Sequence, residues 1–291
     1  MSNEHLLHRS LLLISIVLII TYLIPVPAPG ESTTLFINAG EIKQGELLII
    51  STGESGIVKK AIFNNVEYGF YQDKENGTDI CLIPVSYWLD PGTYRLEIMG
   101  DKVKIKREIQ VLPGAFVESR ITVDSTQEEL IRPENEETIG RKEMNNQLIK
   151  ETRSKSNPEK IWQGNFIWPV EGTITTSFGA TRYVNGILNN RHSGIDIAAP
   201  RGTEVKAAGN GIVKLSAELL VTGNTIIIDH GWNVFSSYCH LDRLNVKSGD
   251  TVKKGDIIGT VGSTGFSTGP HLHWAVTVHG VFVNPEEFLD K

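Results

Sequence analysis

Hydrophobic positions in residues 31–113 fall in short runs separated by turn residues. Runs such as Leu47–Ile50 and Tyr94–Ile98 are rich in residue types that favour strands. Asn76-Gly77 and Asp90-Pro91-Gly92 indicate turns, because Asn and Gly tolerate positive φ and Pro fixes its own φ. This spacing predicts a small antiparallel, sandwich-like domain. It contains no cluster of residues typical of catalysis, so we expect it to position or bind.

Residues 114–160 have a different pattern, with mixed charges such as Glu128-Glu129 and Arg141-Lys142 and almost no aromatic residues. A segment of this kind buries too little apolar surface to offset the entropy lost on ordering. We therefore predict a charged linker with a helical piece around Thr138 to Arg153. A solvent-exposed helix hairpin is the alternative.

Residues 161–291 are again rich in strand-like runs and glycine turns, and no stretch has sustained helical periodicity. Thr225–Asp229, Val234–His240, Asp256–Val261 and His273–Val278 are typical of strands. The sequence therefore predicts a mainly β protein with a second antiparallel β domain over these residues. A length of 291 residues fits two domains.

The amino terminus has an apolar run from Leu11 to Ile24, which follows Arg9 and ends at Pro25. A short basic start before such a run is typical of an export signal. The stretch approaches the ~20 apolar residues that span a bilayer, and Ala28 offers a poor cleavage site. We expect residues 1–30 to be a membrane anchor rather than a cleaved signal, with the rest of the chain exported into the cell envelope.

The net charge and the cysteine count argue against a nucleic-acid-binding protein and against a disulfide-stabilised scaffold. A net charge of −6 argues against a nucleic-acid partner, because phosphate binding needs a Lys/Arg surplus. Two cysteines, Cys81 and Cys239, are too few for a disulfide scaffold, and we interpret them as buried or free thiols rather than a bridge.

Histidine is concentrated in the second β region, at His192, His240, His271 and His273, with Asp196 four residues after the first. Side chains alternate along a strand, so positions 192 and 196 project to one side, as do 271 and 273. One such histidine is more often a structural residue than a ligand. Two donors from one segment and a third from another, however, leave the fourth position of Zn²⁺ for water, as in catalytic zinc sites.

Several segments of this region match a known pattern together: Trp168-Pro169-Val170, Thr175–Gly179, His192–Pro200, Gly223-Asn224-Thr225, Asp229-His230-Gly231, Tyr238–Leu241, Gly262–Gly265, Gly269–Trp274 and Val283-Asn284-Pro285. In combination they resemble the catalytic domain of the lysostaphin/LytM-type zinc metallopeptidases, which cut peptide bonds in bacterial peptidoglycan. The resemblance covers Trp162 to Leu289, nearly the whole of the second β region.

The resemblance implies one zinc ion per chain, with His192, Asp196 and His273 as its ligands, and no other cofactor. It also implies that His240 and His271 are catalytic without binding the metal, one as the base and the other as its support or as a stabiliser of the oxyanion. Which histidine has which role stays open. The implied function is zinc-dependent endopeptidase activity on stem or cross-bridge peptides of peptidoglycan.

Other interpretations start from residues outside that set. His230 and His279 are read as strand-end residues outside the site, and Tyr183 and Asn185 as candidates for contact with substrate. Lys253-Lys254 lies in a segment like the hairpin of biotinyl or lipoyl carriers, but an exported chain is unlike those carriers. A non-catalytic wall-binding or amidase-activating protein is the stronger alternative, although the complete ligand set argues against it.

Overall fold

The computed structural model describes residues 24–26 and 33–290. The described residues are mainly β, with 46% in strands and 11% in helices, which confirms the predicted fold class. The predicted leader lies outside the described residues apart from Ile24–Val26, which form a strand. Across the part of the chain that is described, no helix is both long enough and apolar enough to cross a membrane.

The amino-terminal region forms two five-stranded sheets, in the orders β1-β2-β4-β8-β7 and β3-β10-β9-β5-β6. Leu96 and Ile98 on β9 are fully buried between them, as the alternation of the sequence predicts. The pairing is antiparallel except between β3 and β10, which run parallel. The strands are β1 (Ile24–Val26), β2 (Thr33–Ile37), β3 (Glu41–Lys43), β4 (Leu47–Thr52), β5 (Lys60–Phe63), β6 (Val66–Gly69), β7 (Tyr71–Asp73), β8 (Thr78–Pro84), β9 (Gly92–Met99) and β10 (Lys104–Leu112).

The connecting segment contains a strand, β11 (Glu118–Ile121), and two helices, α1 (Ser125–Ile131) and α2 (Glu136–Thr152). The side chains of Asp124 and Asn135 cap the two helices by accepting backbone N–H groups. Neither helix has a buried residue, which agrees with its charged composition. The helix predicted around residues 138–153 is confirmed. The rest of the segment is more ordered than a linker, because its strand pairs with the following domain.

The carboxyl-terminal region is built on a ten-stranded sheet with the main order β12-β15-β22-β19-β18-β17-β20. Ile226, Ile227 and Ile228 on β18 are all buried, so the sheet is covered on both faces at the middle of that strand. The elements are β12 (Thr173–Thr176), β13 (Thr181–Val184), β14 (Ile187–Arg191), β15 (Ile195–Ala198), β16 (Glu204–Lys206), β17 (Gly211–Leu219), β18 (Gly223–Asp229), β19 (Val234–Leu244), β20 (Thr251–Val252), β21 (Ile257–Val261), β22 (His271–Val278), β23 (Val281–Val283) and a 3₁₀ helix (Pro285–Phe288).

The two β regions pack against each other through an aromatic contact. Tyr71 of β7 stacks on Trp232, with ring centroids 5.4 Å apart and planes at 13°. The amide of Asn233 donates a hydrogen bond of 2.7 Å to the Tyr71 hydroxyl. Leu47 and Leu82 of the sandwich also belong to the hydrophobic cluster of the carboxyl-terminal sheet. The sandwich therefore supports the second region directly.

We expect Tyr71→Ala to lower the free energy of unfolding by about 2–3 kcal/mol, because it removes an aromatic stack and half-buried apolar surface. Tyr71→Phe keeps the stack and loses only the hydrogen bond from Asn233, so about 1 kcal/mol is expected. Urea unfolding followed by tryptophan fluorescence measures both changes. Equal stability of the alanine variant and the wild type would show that this contact does not hold the two regions together.

Candidate metal centre

Two neighbouring strands bring the candidate ligands together. β15 and β22 are antiparallel, and their register places Asp196 directly opposite His273. His192 reaches the same point because the chain turns through Gly194, where a Cβ atom would collide with the carbonyl oxygen of Trp274. His192 and Asp196 can therefore meet here only because residue 194, which lies between them, is a glycine.

The donor atoms of His192, Asp196 and His273 converge. Asp196 Oδ1 lies 2.8 Å from His192 Nε2 and 2.8 Å from His273 Nδ1, and the two nitrogens are 2.9 Å apart. His192 Nδ1 lies 3.1 Å from the carbonyl oxygen of Ser177, which only accepts, so the proton of a neutral His192 ring is on Nδ1. His192 Nε2, Asp196 Oδ1 and His273 Nδ1 then share at most one proton, which comes from a neutral His273 ring. A cation bound between the three atoms would satisfy all of them.

Burial and polar contacts shift the pKa values of Asp196 and His273. Burial alone raises the pKa of Asp196, but its polar contacts with His192 and His273 outweigh that effect and hold the pKa well below its ordinary value. Burial lowers the pKa of His273 to about 4. An ionised carboxylate and neutral imidazoles are the forms that bind metals, and they are common zinc donors. The trio therefore fits a divalent metal ion such as zinc.

The second carboxylate oxygen of Asp196 has a partner that the sequence analysis did not identify. Arg182 on β13 donates from Nη2 to Asp196 Oδ2 over 3.0 Å, and its side chain is only 17% exposed. Tyr183 and Asn185 have other contacts: Arg120 stacks over the Tyr183 ring, and Asn185 bonds to residues 123 and 128. A buried carboxylate predicts a cationic partner, but only the folded hairpin shows which arginine it is.

His240 and His271 lie beside the trio, with ring centroids 4.8 Å apart. In each ring, Nδ1 lies 2.8 Å from a backbone carbonyl oxygen, that of Thr264 for His240 and that of Gly269 for His271. Because a carbonyl oxygen only accepts, Nδ1 carries a proton in both rings, and in a neutral ring the lone pair is then on Nε2. Burial lowers the pKa of His240 to about 3, so this ring is neutral.

A groove of about 410 Å³ runs along the centre. Arg182, Asp196 and His271 line it, together with residues of β11 and β12 and the loop 266–270. His271 is among the residues that line the groove, whereas His240 is not and is only 8% exposed. The geometry gives the two rings unequal access to a peptide in the groove.

The remaining histidines and the cysteines that the sequence analysis considered lie outside the metal centre. His230 is fully buried between the carbonyl of Asn210 and the hydroxyl of Ser236, each 2.7 Å away. His279 stacks on Tyr71 between the two β regions. Both cysteines are free and buried, as predicted.

Comparison with known proteins identifies this region. The family model described as peptidase family M23 matches residues 190–285, which contain the trio and both neighbouring histidines. This chain contains an M23 peptidase domain. The match confirms the resemblance to lysostaphin/LytM-type peptidases.

Relatives that match part of this chain include two proteins named as endopeptidases. The peptidoglycan DD-endopeptidase ShyC of Vibrio cholerae is 46% identical over 94 residues, which cover 32% of this chain and 22% of ShyC. The DD-carboxypeptidase/endopeptidase Mpg of Neisseria meningitidis is 44% identical over 94 residues, again 32% of this chain and 22% of Mpg. The chain thus spans about a fifth of the length of these two relatives.

A solved structure matches more of the chain. The crystal structure of a putative peptidase M23 from Pseudomonas aeruginosa has 26% sequence identity and a TM-score of 0.62, and the match covers 84% of this chain and 94% of that one. The similarity therefore extends beyond the M23 domain into the amino-terminal β region.

We expect Arg182→Met to weaken the affinity for a divalent metal about 10- to 100-fold, because it removes the donor that holds Asp196 Oδ2. Arg182→Lys keeps the charge without the planar fork, so an intermediate loss is expected. Competition with a chromophoric chelator measures the affinity, and Arg120→Met, an exposed arginine on β11, is the matched control. If Arg182→Met binds metal as tightly as the control, Arg182 does not support the site.

His230 gives a pH dependence of stability that is separate from the metal centre. Burial lowers its pKa from 6.5 to about 4. The folded state therefore binds fewer protons, and the associated stability, complete above pH 6.5, is lost as the pH falls toward 4. Between pH 7 and pH 4 the wild type should lose about 3 kcal/mol more than His230→Gln. Urea titrations at a series of pH values test this, and parallel curves for the two proteins would contradict it.

Proposed function

We propose that this protein is a zinc-dependent endopeptidase that hydrolyses peptide bonds in bacterial peptidoglycan. The observation that carries the proposal is the convergence of His192, Asp196 and His273 beside two histidines whose Nε2 atoms have free lone pairs. The name of ShyC, a peptidoglycan DD-endopeptidase, supports the substrate class, and that of Mpg, a DD-carboxypeptidase/endopeptidase, supports the type of reaction. We propose residues 161–291 as the catalytic domain and residues 31–113 as its accessory domain.

His192, Asp196 and His273 would hold the zinc ion, with one ion per chain. When bound, zinc polarises the scissile carbonyl and lowers the pKa of a bound water toward ~7. Three protein ligands leave a position for that water, so we assign neither His240 nor His271 to the metal.

His271 is the general base in this proposal. It faces the groove, and the carbonyl of Gly269 fixes its proton on Nδ1, so Nε2 accepts the proton of the attacking water. The same atom then delivers the proton to the amine that leaves the cleaved bond. His240 lies behind His271, held through Nδ1 by Thr264, and it orients the reacting groups from that side.

We propose a location in the cell envelope, since peptidoglycan lies outside the cytoplasm. The apolar run of the leader supports export and attachment to the outer face of the cytoplasmic membrane. The alternative of a non-catalytic wall-binding protein lacks a supporting feature among the described residues, since the trio and both flanking histidines are present together.

Digestion of purified peptidoglycan tests the function directly. The zinc-loaded chain should release peptide fragments that mass spectrometry assigns to one cleaved bond. Removal of the metal with a chelator should stop the release, and addition of zinc should restore it. Binding of peptidoglycan without any release by the zinc-loaded chain would favour the non-catalytic alternative.

Substitution of each histidine of the tripeptide His271-Leu272-His273 separates metal binding from catalysis. His271→Ala should keep close to one zinc per chain and lose about 10²- to 10⁴-fold in peptidoglycan cleavage, because the base is gone. His273→Ala should lose zinc and activity together. Metal content by mass spectrometry and cleavage rates on one peptidoglycan preparation measure both effects. Loss of zinc from His271→Ala would make His271 a ligand, and full activity would place the base elsewhere.

A further inference from the structure

One wall of the groove comes from outside the M23 match. β11 pairs in parallel with β13, with Ser119 opposite Arg182 and Ile121 opposite Val184. Ser119 and Ile121 line the groove that also contains Asp196. Both lie well before residue 190, where the family match begins.

The side chains of β11 alternate between the side of the strand that borders the groove and the opposite, exposed side. Ser119 and Ile121 are half-buried toward the groove, whereas Glu118 and Arg120 are exposed on the other side. The Arg120 guanidinium lies 4.2 Å from the centroid of the Tyr183 ring, away from the metal centre. Each strand position therefore has a defined side, and Arg120 is a matched control for its neighbours.

Hydrogen bonds hold this wall in place. Thr181 donates its backbone N–H to the carbonyl of Val117 over 2.8 Å, and Asn185 donates to the carbonyl of Ile121 over 3.0 Å. The Asn185 side chain accepts from the N–H of Val123 over 3.0 Å. The wall is thus bonded at both ends to the hairpin that positions Arg182.

We propose that Ser119 and Ile121 are specificity-determining residues that restrict the groove to peptides with a small, uncharged side chain beside the cleaved bond. The proposal rests on the proposed peptidase function. Ile121 offers no polar partner and the single hydroxyl of Ser119 compensates a buried charge only in part, so a charged side chain against this wall would lose more hydration than it regains. A long aliphatic side chain would collide with Ile121.

The test uses the full chain and stem-peptide probes that differ at one residue, which is Ala, Leu or Lys. The wild type should have its highest kcat/KM on the Ala probe. Ile121→Ala opens the wall and should raise the Leu-to-Ala ratio of kcat/KM at least tenfold, because pocket selectivity changes by about 10- to 200-fold per methylene. Arg120→Ala should leave the ratio unchanged, and zinc content should be the same in all three proteins.

Ile121→Trp provides the opposite change. It should lower kcat/KM on every probe, mainly through KM, with zinc content unchanged. A Leu-to-Ala ratio that is the same in the wild type, Ile121→Ala and Ile121→Trp would overturn the assignment of this wall.

Calorimetric binding of the same probes to metal-free protein separates this inference from the proposed function. Suppose that the wild type cleaves no probe, but that Ile121→Ala raises the affinity for the Leu probe, relative to the Ala probe, at least tenfold over the wild type. The role of Ile121 in selectivity is then supported, and the proposed peptidase function is wrong. If the wild type cleaves the probes but substitution of Ile121 changes neither the kcat/KM ratio nor the affinity ratio, the peptidase function is supported and the role of Ile121 in selectivity is wrong.

Discussion

The buried carboxylate of Asp196 is the constraint on which the centre depends. An ionised group that is only 5% exposed needs partners for both oxygens, since an unpaired buried charge is costly. One oxygen faces two imidazole nitrogens and the other accepts from Arg182. These partners come from the segment before β15, from β22 and from β13. The carboxylate thus fixes the relative positions of three separate parts of the chain.

The surrounding fold maintains that arrangement through backbone contacts. The register between β15 and β22 places Asp196 beside His273, and the close approach at Gly194 brings His192 to the same point. β11 braces β13, which carries Arg182. The sandwich packs on Trp232 through Tyr71 and on Phe178 through Tyr87, and none of its residues lines the groove.

Local patterns were sufficient to predict much of this protein. Alternation and turn residues predicted both β regions, because each signal lies within one or two strands. The grouping of the histidines indicated two donors from one segment and a third from another, and the resemblance to the peptidase family selected His192, Asp196 and His273. Arg182 and Ile121 could not be found that way. Their importance depends on which strands become neighbours, and β11 pairs with β13 across a separation of more than 50 residues. The parallel pairing of β3 with β10 was missed for the same reason.

The position of β11 bears on how such domains are exchanged between proteins. Residues 190–285 carry the donors of the trio, so a fusion that borrows them alone would keep the metal-binding set. It would lose Arg182, the Ser119 and Ile121 wall and the helices that follow that wall. In this architecture, the metal donors occupy a shorter segment than the residues that support them and border the groove. A protein that acquired the matched segment alone would therefore carry the donors without Arg182, and both its metal affinity and its groove would depend on the new neighbours of that segment.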